Sequence, residues 1–448
     1  MLSLPTPAVP NPPPIGAHMT STLKSKAAPA LLARALLAIA PLLAAEAAHA
    51  GPKYSYSYVG NPATPVRAKP VSCWQTACTP SVVLMGGGYD VAEAFRWMIA
   101  QAGITKATGG RFVILRATGS DAYNPYVYSR LGTVDTTTSR NYEMVGGLDL
   151  GVTSVETLVI PSRTAAADPF VLDVISKASA IFIAGGDQAD YYQYWQSTPL
   201  AAALQRAVDA GIPIGGTSAG NAMLGQYAFV ALNDTVTSDE ALANPFNRYM
   251  TIDPLNTSSG KFIQTGSFIG IPGLEKTITD DHFNTRDRLG RLVGFVSRIG
   301  DGCPGGVERF DQVLGIGVDE ETAVLVSGPR GGVKAQLVAN PYNPENTTAP
   351  YAPQNSAYFT KLARTPAQCA AKKTLDINSG VQVYRLSAQV AQPSPYPSAP
   401  QYSFKTNATF NLSSWTQQTP TTYADGSSLN GPFVYGTAGG AILGAQVR

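Results

Sequence analysis

Of 448 residues, 44% are hydrophobic and only 14% charged, with 32 Lys and Arg against 30 Asp and Glu. This composition excludes a disordered chain and leaves a core large enough for one large or two ordinary domains. It also excludes a global attraction for nucleic acid or anionic lipid, so an anionic ligand needs a local basic cluster.

Residues 1–50 read as an export segment. Lys24, Lys26 and Arg34 lead into the apolar run 35–45, and Ala48-His49-Ala50 supplies an A-x-A cleavage pattern. Met19 is an alternative start that shortens the segment to 32 residues. The apolar run is well short of the roughly 20 residues needed to span a bilayer, and no later stretch reaches that length. Removing 1–50 takes three basic residues and one acidic residue from the totals, leaving 29 of each. Four cysteines in an exported chain favour two disulfides; the expected pairs are Cys73 with Cys78 and Cys303 with Cys369. With no Cys-x-x-Cys and one histidine after residue 50, no metal is expected.

The stretch 51–80 leads into an alternation of short apolar runs and helical patterns. Residues 82–85 predict a strand, Gly86-Gly87-Gly88 a turn and 91–102 a helix. Strands follow at 112–115, 157–160 and 180–184, with a helix at 169–177 between the last two. A helix over 199–210 starts on Pro199 and stops at Gly211, leading into a strand at 212–214. Continuous apolar strands separated by helices predict an α/β fold, a mostly parallel sheet covered on both faces. The sheet is expected to resume at 313–318 and 323–326, after an insertion-like stretch at 300–311. The expected organisation is a catalytic domain over 81–331, a β-rich extension over 332–412 with its clearest strand at 381–386, and a tail over 413–448.

Gly216-Thr217-Ser218-Ala219-Gly220 fits a G-x-S-x-G nucleophile elbow, a strand before it and a helix expected over 219–226. In open α/β sheets functional groups collect at the carboxyl ends of strands, which brings Gly185-Gly186-Asp187-Gln188 beside this turn. An oxyanion would then be held by the N–H of Ala219 and one from Gly186 or Asp187. A serine hydroxyl needs a base that titrates near neutrality, and His282 is the only histidine after residue 50. An acid must orient it; Glu320 closes a strand, with Asp319 and Glu321 as rivals on spacing alone. The chain order Ser, His, acid differs from that of α/β-hydrolases.

These residues resemble the cyanophycinases, serine peptidases related to peptidase E and more distantly to class I glutamine amidotransferase domains. The resemblance rests on Gly185-Gly186-Asp187-Gln188, Gly215-Gly216-Thr217-Ser218-Ala219-Gly220, Ser238-Asp239-Glu240-Ala241-Leu242, DDHFNTRDRLGRL at 280–292 and GIGVDEETA at 315–323. They run in the family's order over roughly residues 80–330, with a weaker echo at Val383-Tyr384-Arg385-Leu386. The resemblance implies Ser218 as nucleophile, His282 as base and Glu320 as third member. It implies a pocket lined by Gln188, Asp280, Asp281, Arg286, Arg288 and Arg291, and no cofactor.

The implied partner is cyanophycin or a related Asp/Arg polymer, a polyaspartate whose side chains carry arginines with free α-carboxylates. Its expected product is the β-aspartyl-arginine dipeptide, released outside the cell or in the periplasm of a bacterium; a homodimer is admissible. Guanidinium groups bind carboxylates through paired hydrogen bonds, so the three arginines are expected to hold successive substrate carboxylates, while Asp187, Asp280 or Asp281 receives a substrate guanidinium. The family usually has glutamine where this chain has Asp281. Two other readings are an aspartyl dipeptidase like peptidase E and a non-catalytic polymer-binding protein on the same scaffold.

Overall fold

The computed structural model describes residues 53–71, 81–136, 142–255, 268–329, 332–340, 355–387, 390–393, 402–405, 409–417, 421–422, 428–429 and 432–447. The export segment and the Cys73/Cys78 pair lie outside them. Residues 50–448 form one compact unit.

The longer strands are β1 (Ser55–Gly60), β2 (Val82–Met85), β3 (Arg111–Arg116), β4 (Ser154–Val159), β5 (Ala180–Ile183), β6 (Ile214–Thr217), β7 (Thr277–Asp280), β8 (Leu314–Val318), β9 (Thr322–Ser327), β10 (Lys334–Ala339), β11 (Ser356–Leu362), β12 (Val381–Ser387), β13 (Val390–Pro393), β14 (Tyr402–Lys405), β15 (Phe433–Ala438) and β16 (Ala441–Val447). The helices used below are α1 (Ala92–Gln101), α2 (Tyr123–Val127), α3 (Pro169–Ser176), α4 (Gln188–Trp195), α5 (Pro199–Asp209), α6 (Ala219–Ala222), α7 (Ser238–Ala243) and α8 (Leu289–Ile299).

The main sheet runs β1-β4-β3-β5-β6-β2-β9-β10-β14-β13. Its centre, β4 to β2, is parallel; β1 at one end and β9 onwards at the other are antiparallel. Alternate residues of each central strand serve opposite faces. Leu84, Val113, Leu115, Ile181 and Ile183 pack with Val171, Trp195 and Leu204 of α3, α4 and α5, while Val83, Phe112, Ile114 and Phe182 pack with Phe95 and Met98 of α1 and Val127 of α2. Helices thus cover both faces, as the apolar runs require.

A second sheet, ordered β7-β8-β11-β12-β15-β16, is parallel only between β7 and β8. Leu292, Phe295 and Val296 of α8 share a core with Ile278, Val381 and Val383 of this sheet. The expectation that both 313–318 and 323–326 resume one sheet is corrected: β8 belongs to the second sheet and β9 to the first. Residues 319–321 carry the chain between them, with Glu321 at φ 55°. Strands after residue 331 enter both sheets, and the expected tail contains the hairpin β15–β16. Cys303 and Cys369 form a disulfide. Among the described residues, no helix is long and apolar enough to cross a membrane.

Candidate active site

Ser218 sits between β6 and α6 at φ 51°, ψ −124°, a conformation disfavoured for a side chain with a Cβ and held by its surroundings. Its N–H donates to Met85 O at 3.2 Å, tying the turn to the end of β2. A Cβ at Gly220 would lie 2.1 Å from Ile183 O, and one at Gly216 would meet the backbone of Gly220 at 2.5 Å. Both glycines of the elbow are therefore fixed by close backbone approach. The helix that follows is one turn, 219–222, rather than the expected 219–226.

His282 follows β7 at φ 42°. Its Nε2 is 2.8 Å from Ser218 Oγ, and its Nδ1 contacts Glu320 Oε1. With Nδ1–H donated to the carboxylate, Nε2 is left to accept the serine proton. The hydrogen bond from His282 holds the Glu320 carboxyl below the usual range, reinforced by the charges of His282 and Arg286 against partial burial. Of the three acids open on spacing, Glu320 is the one on the imidazole. Asp319 is buried behind it and accepts from the N–H of Asn284 and of Ser356; Glu321 is buried, its N–H donating to Gly87 O at 2.8 Å.

The glycine turn after β2, read from sequence only as a turn, belongs to the site. Gly86 O accepts from His282 N at 2.6 Å. A Cβ at Gly87, whose φ is +96°, would lie 2.5 Å from His282 Cε1 and Nε2. The imidazole thus rests directly on this backbone. Three successive glycines at the end of a buried strand were the available signal.

The Gly185-Gly186-Asp187 loop lies beside the serine, a Cβ at Gly185 being 3.4 Å from Ser218 Cβ. Gly186 and Asp187 are exposed there, and Ala219, first in α6, has an N–H without an intrahelical acceptor. Asp187 caps α4, its carboxylate accepting from Ala189 N at 2.8 Å, and partly exposed Gln188 begins that helix. Tyr191, fully buried, donates to Ala184 O at 2.7 Å, with Gly185 O at 3.1 Å, and so pins the loop. Sequence reasoning passed over Tyr191.

The arginine cluster divides. Arg291, 2% exposed, pairs through two nitrogens with Asp280, itself 2% exposed, and its guanidinium lies 5.2 Å from the Phe229 ring. Arg288, also buried, contacts Asp281 Oδ1 at 2.7 Å and Asp281 O at 2.9 Å. Burial would raise the Asp280 carboxyl, but Arg291 and then Arg288 hold it below its usual value. Arg288, Arg291, Asp280 and Asp281 are therefore not open to substrate as expected; two buried carboxylates and two guanidinium groups satisfy one another. Asp281 Oδ1 also stands 3.8 Å from His282 Nε2. Arg286 is exposed and, among the described residues, makes no ion pair. No group of three His, Cys, Asp or Glu side chains among the described residues is placed to hold a metal ion.

The Peptidase family S51 model matches residues 122–245, which include Gly185–Gln188 and Ser218. A cyanophycinase of Synechococcus elongatus is 30% identical over 178 residues, 40% of this chain and 45% of that protein. One of Trichormus variabilis is 25% identical over 259 residues, 56% of this chain and 68% of that protein. The chain thus spans about half the length of the first of these relatives. A solved peptidase from an acI-B1 Actinobacterium is 19% identical, covering 59% of this chain and 89% of that one at a TM-score of 0.36. The chain thus carries a Peptidase family S51 match over residues 122–245 and is similar to cyanophycinases at 25–30% identity.

Proposed function

We propose that this chain is a secreted serine exopeptidase that hydrolyses cyanophycin to β-aspartyl-arginine dipeptides. The observation that carries the reading is the relay from Ser218 Oγ to His282 Nε2 and from His282 Nδ1 to Glu320. Ser218 attacks a backbone carbonyl of the polyaspartate while His282 takes its proton. The N–H of Ala219, with one from the 185–187 loop, receives the oxyanion. His282 then protonates the leaving amine, and water, activated by the same imidazole, releases the acyl group. Exposed Arg286 holds an arginine α-carboxylate of the substrate, and exposed Asp187 with partly exposed Gln188 supplies further polar contacts. Export is supported by the charge and apolar pattern of residues 1–50 and by the Cys303–Cys369 disulfide, which suits an oxidising compartment.

One observation favours a second reading. With Arg288 and Arg291 engaged by Asp280 and Asp281, one arginine of the cluster faces solvent, and an aspartyl dipeptidase needs fewer basic subsites. Incubating the purified protein with insoluble cyanophycin and, separately, with small aspartyl dipeptides decides between them. Release of β-Asp-Arg from the polymer, lost in Ser218→Ala, is expected; cleavage of dipeptides alone would overturn the polymer reading.

A further inference from the structure

The backbone that carries His282 is held in a left-handed conformation by three consecutive N–H groups, each with a different acceptor. His282 N donates to Gly86 O at 2.6 Å, Phe283 N to Val318 O at 3.2 Å and Asn284 N to Asp319 Oδ1 at 3.0 Å. The first two acceptors are main chain; the third is a side chain. The other oxygen of that carboxylate accepts from Ser356 N at 3.1 Å, and Asp319 N returns a hydrogen bond to Ser356 O at 3.0 Å. Ser356 opens β11, and its hydroxyl meets Ser387 Oγ at 2.7 Å and Arg385 Nε at 3.1 Å, both on β12. A continuous polar link therefore runs from β11 and β12, beyond residue 331, to the loop bearing the base.

We propose that Asp319 is a positioning residue for His282. Its carboxylate bridges the Asn284 and Ser356 backbones, so that the strands after residue 331 hold the imidazole between Ser218 and Glu320. The inference rests on the serine-peptidase reading above. Asp319 does not touch the imidazole and acts only through Asn284 and the adjoining Glu320.

The charge of Asp319 belongs to the device. The groups around it are Arg385 of β12, Tyr358 of β11, the neighbouring Glu320 and, beyond Tyr358, Tyr435 of β15. Burial pushes the Asp319 carboxyl up to about 7, against the pull of Arg385. As pH falls through that value the carboxyl gains a proton and one of its two acceptor oxygens becomes a donor. The histidine loop then loosens.

The test measures the rate at which a fluorophosphonate phosphonylates Ser218, a reaction that needs the base but no particular substrate. The serine oxygen bonds to phosphorus, fluoride leaves, and the proton passes to His282. Asp319→Ala should label about 100-fold more slowly, as expected for a displaced reacting group. Asp319→Asn, whose amide can accept from only one of the two N–H groups, should label about 10-fold more slowly. Below neutrality the rate of the unsubstituted protein should fall with one proton more than that of Asp319→Asn, a change that a merely structural role does not produce.

Labelling of Asp319→Ala within twofold of the unsubstituted protein, with Ser218→Ala blank, overturns this inference alone. Absence of Ser218 labelling in the unsubstituted protein overturns the nucleophile reading, and this inference with it. If Asp319→Ala does not fold, Asp319→Asn decides by its pH profile: an acid limb as steep as that of the unsubstituted protein overturns the proposal.

Discussion

Replacing Asp280 by Ala leaves Arg291 buried at 2% exposure without its carboxylate. Its remaining partners are Thr235 Oγ1 at 3.1 Å, Val236 O at 3.3 Å and the faces of Phe229 and Phe295 at 5.2 and 5.7 Å. None carries a charge, and stranding a buried ion costs about 3–5 kcal/mol. A unit of roughly 400 residues unfolds with an entropy near 0.8 kcal/mol/K, so the melting temperature should fall by about 4–6 °C at pH 7. The double substitution Asp280→Leu with Arg291→Met removes both charges and should recover most of that loss, which a thermal or urea cycle of four proteins measures directly. Because the folded Asp280 carboxyl titrates below its usual value, its stabilisation is fully present above about pH 4 and is lost as pH falls through the folded value. The gap between Asp280→Ala and the unsubstituted protein should accordingly close only in acid. A substrate-binding role for Arg291 predicts the opposite pattern: Arg291→Met would raise KM and leave the melting temperature in place. Asp280→Ala melting within 1 °C of the unsubstituted protein at pH 7 would refute the buried-pair reasoning.

Gly87→Ala should lower kcat by about 100-fold with the overall fold retained, because the added methyl must displace the imbedded His282 ring, 2.5 Å away; circular dichroism with steady-state kinetics checks both halves, and an unchanged kcat would mean that the ring can shift without loss. Removing the Cys303–Cys369 cross-link, which spans 66 residues of sequence, should destabilise by about 4 kcal/mol from the loop entropy released in the unfolded chain. Urea unfolding of the Cys303→Ala/Cys369→Ala variant measures this, and an unmoved midpoint would contradict it.

The central strands were legible because a strand buried on both faces must be apolar at every position. Val82–Met85 and Ala180–Ile183 meet that condition. The passage between sheets was not legible. Residues 313–318 and 323–326 are equally apolar, and apolarity reports burial without saying which sheet does the burying. The transfer at 319–321 follows from partners far away in sequence: β8 pairs with β11, whereas β9 pairs with β2. For the same reason spacing could not choose among Asp319, Glu320 and Glu321. In a turn that crosses from one sheet to another, neighbouring side chains point into different surroundings: Glu320 toward His282, and Asp319 toward the start of β11.

The arginines show where residue type stops being informative. Arg286, Arg288 and Arg291 are chemically identical, yet their places relative to the start of α8 separate them. Arg286 lies in the exposed turn before the helix, Arg288 caps it, and Arg291 is its third residue, in a helix buried from Gly290 to Ile299. Burying the Arg291 guanidinium there is costly without a partner, and the Asp280 carboxylate, at the end of the strand facing the helix, supplies one. The sequence already held the sign of this: three acids and three arginines within twelve residues, followed by the apolar run that buries α8. Charge neutralised beneath the site leaves Arg286 as the cation in the cluster that solvent can reach.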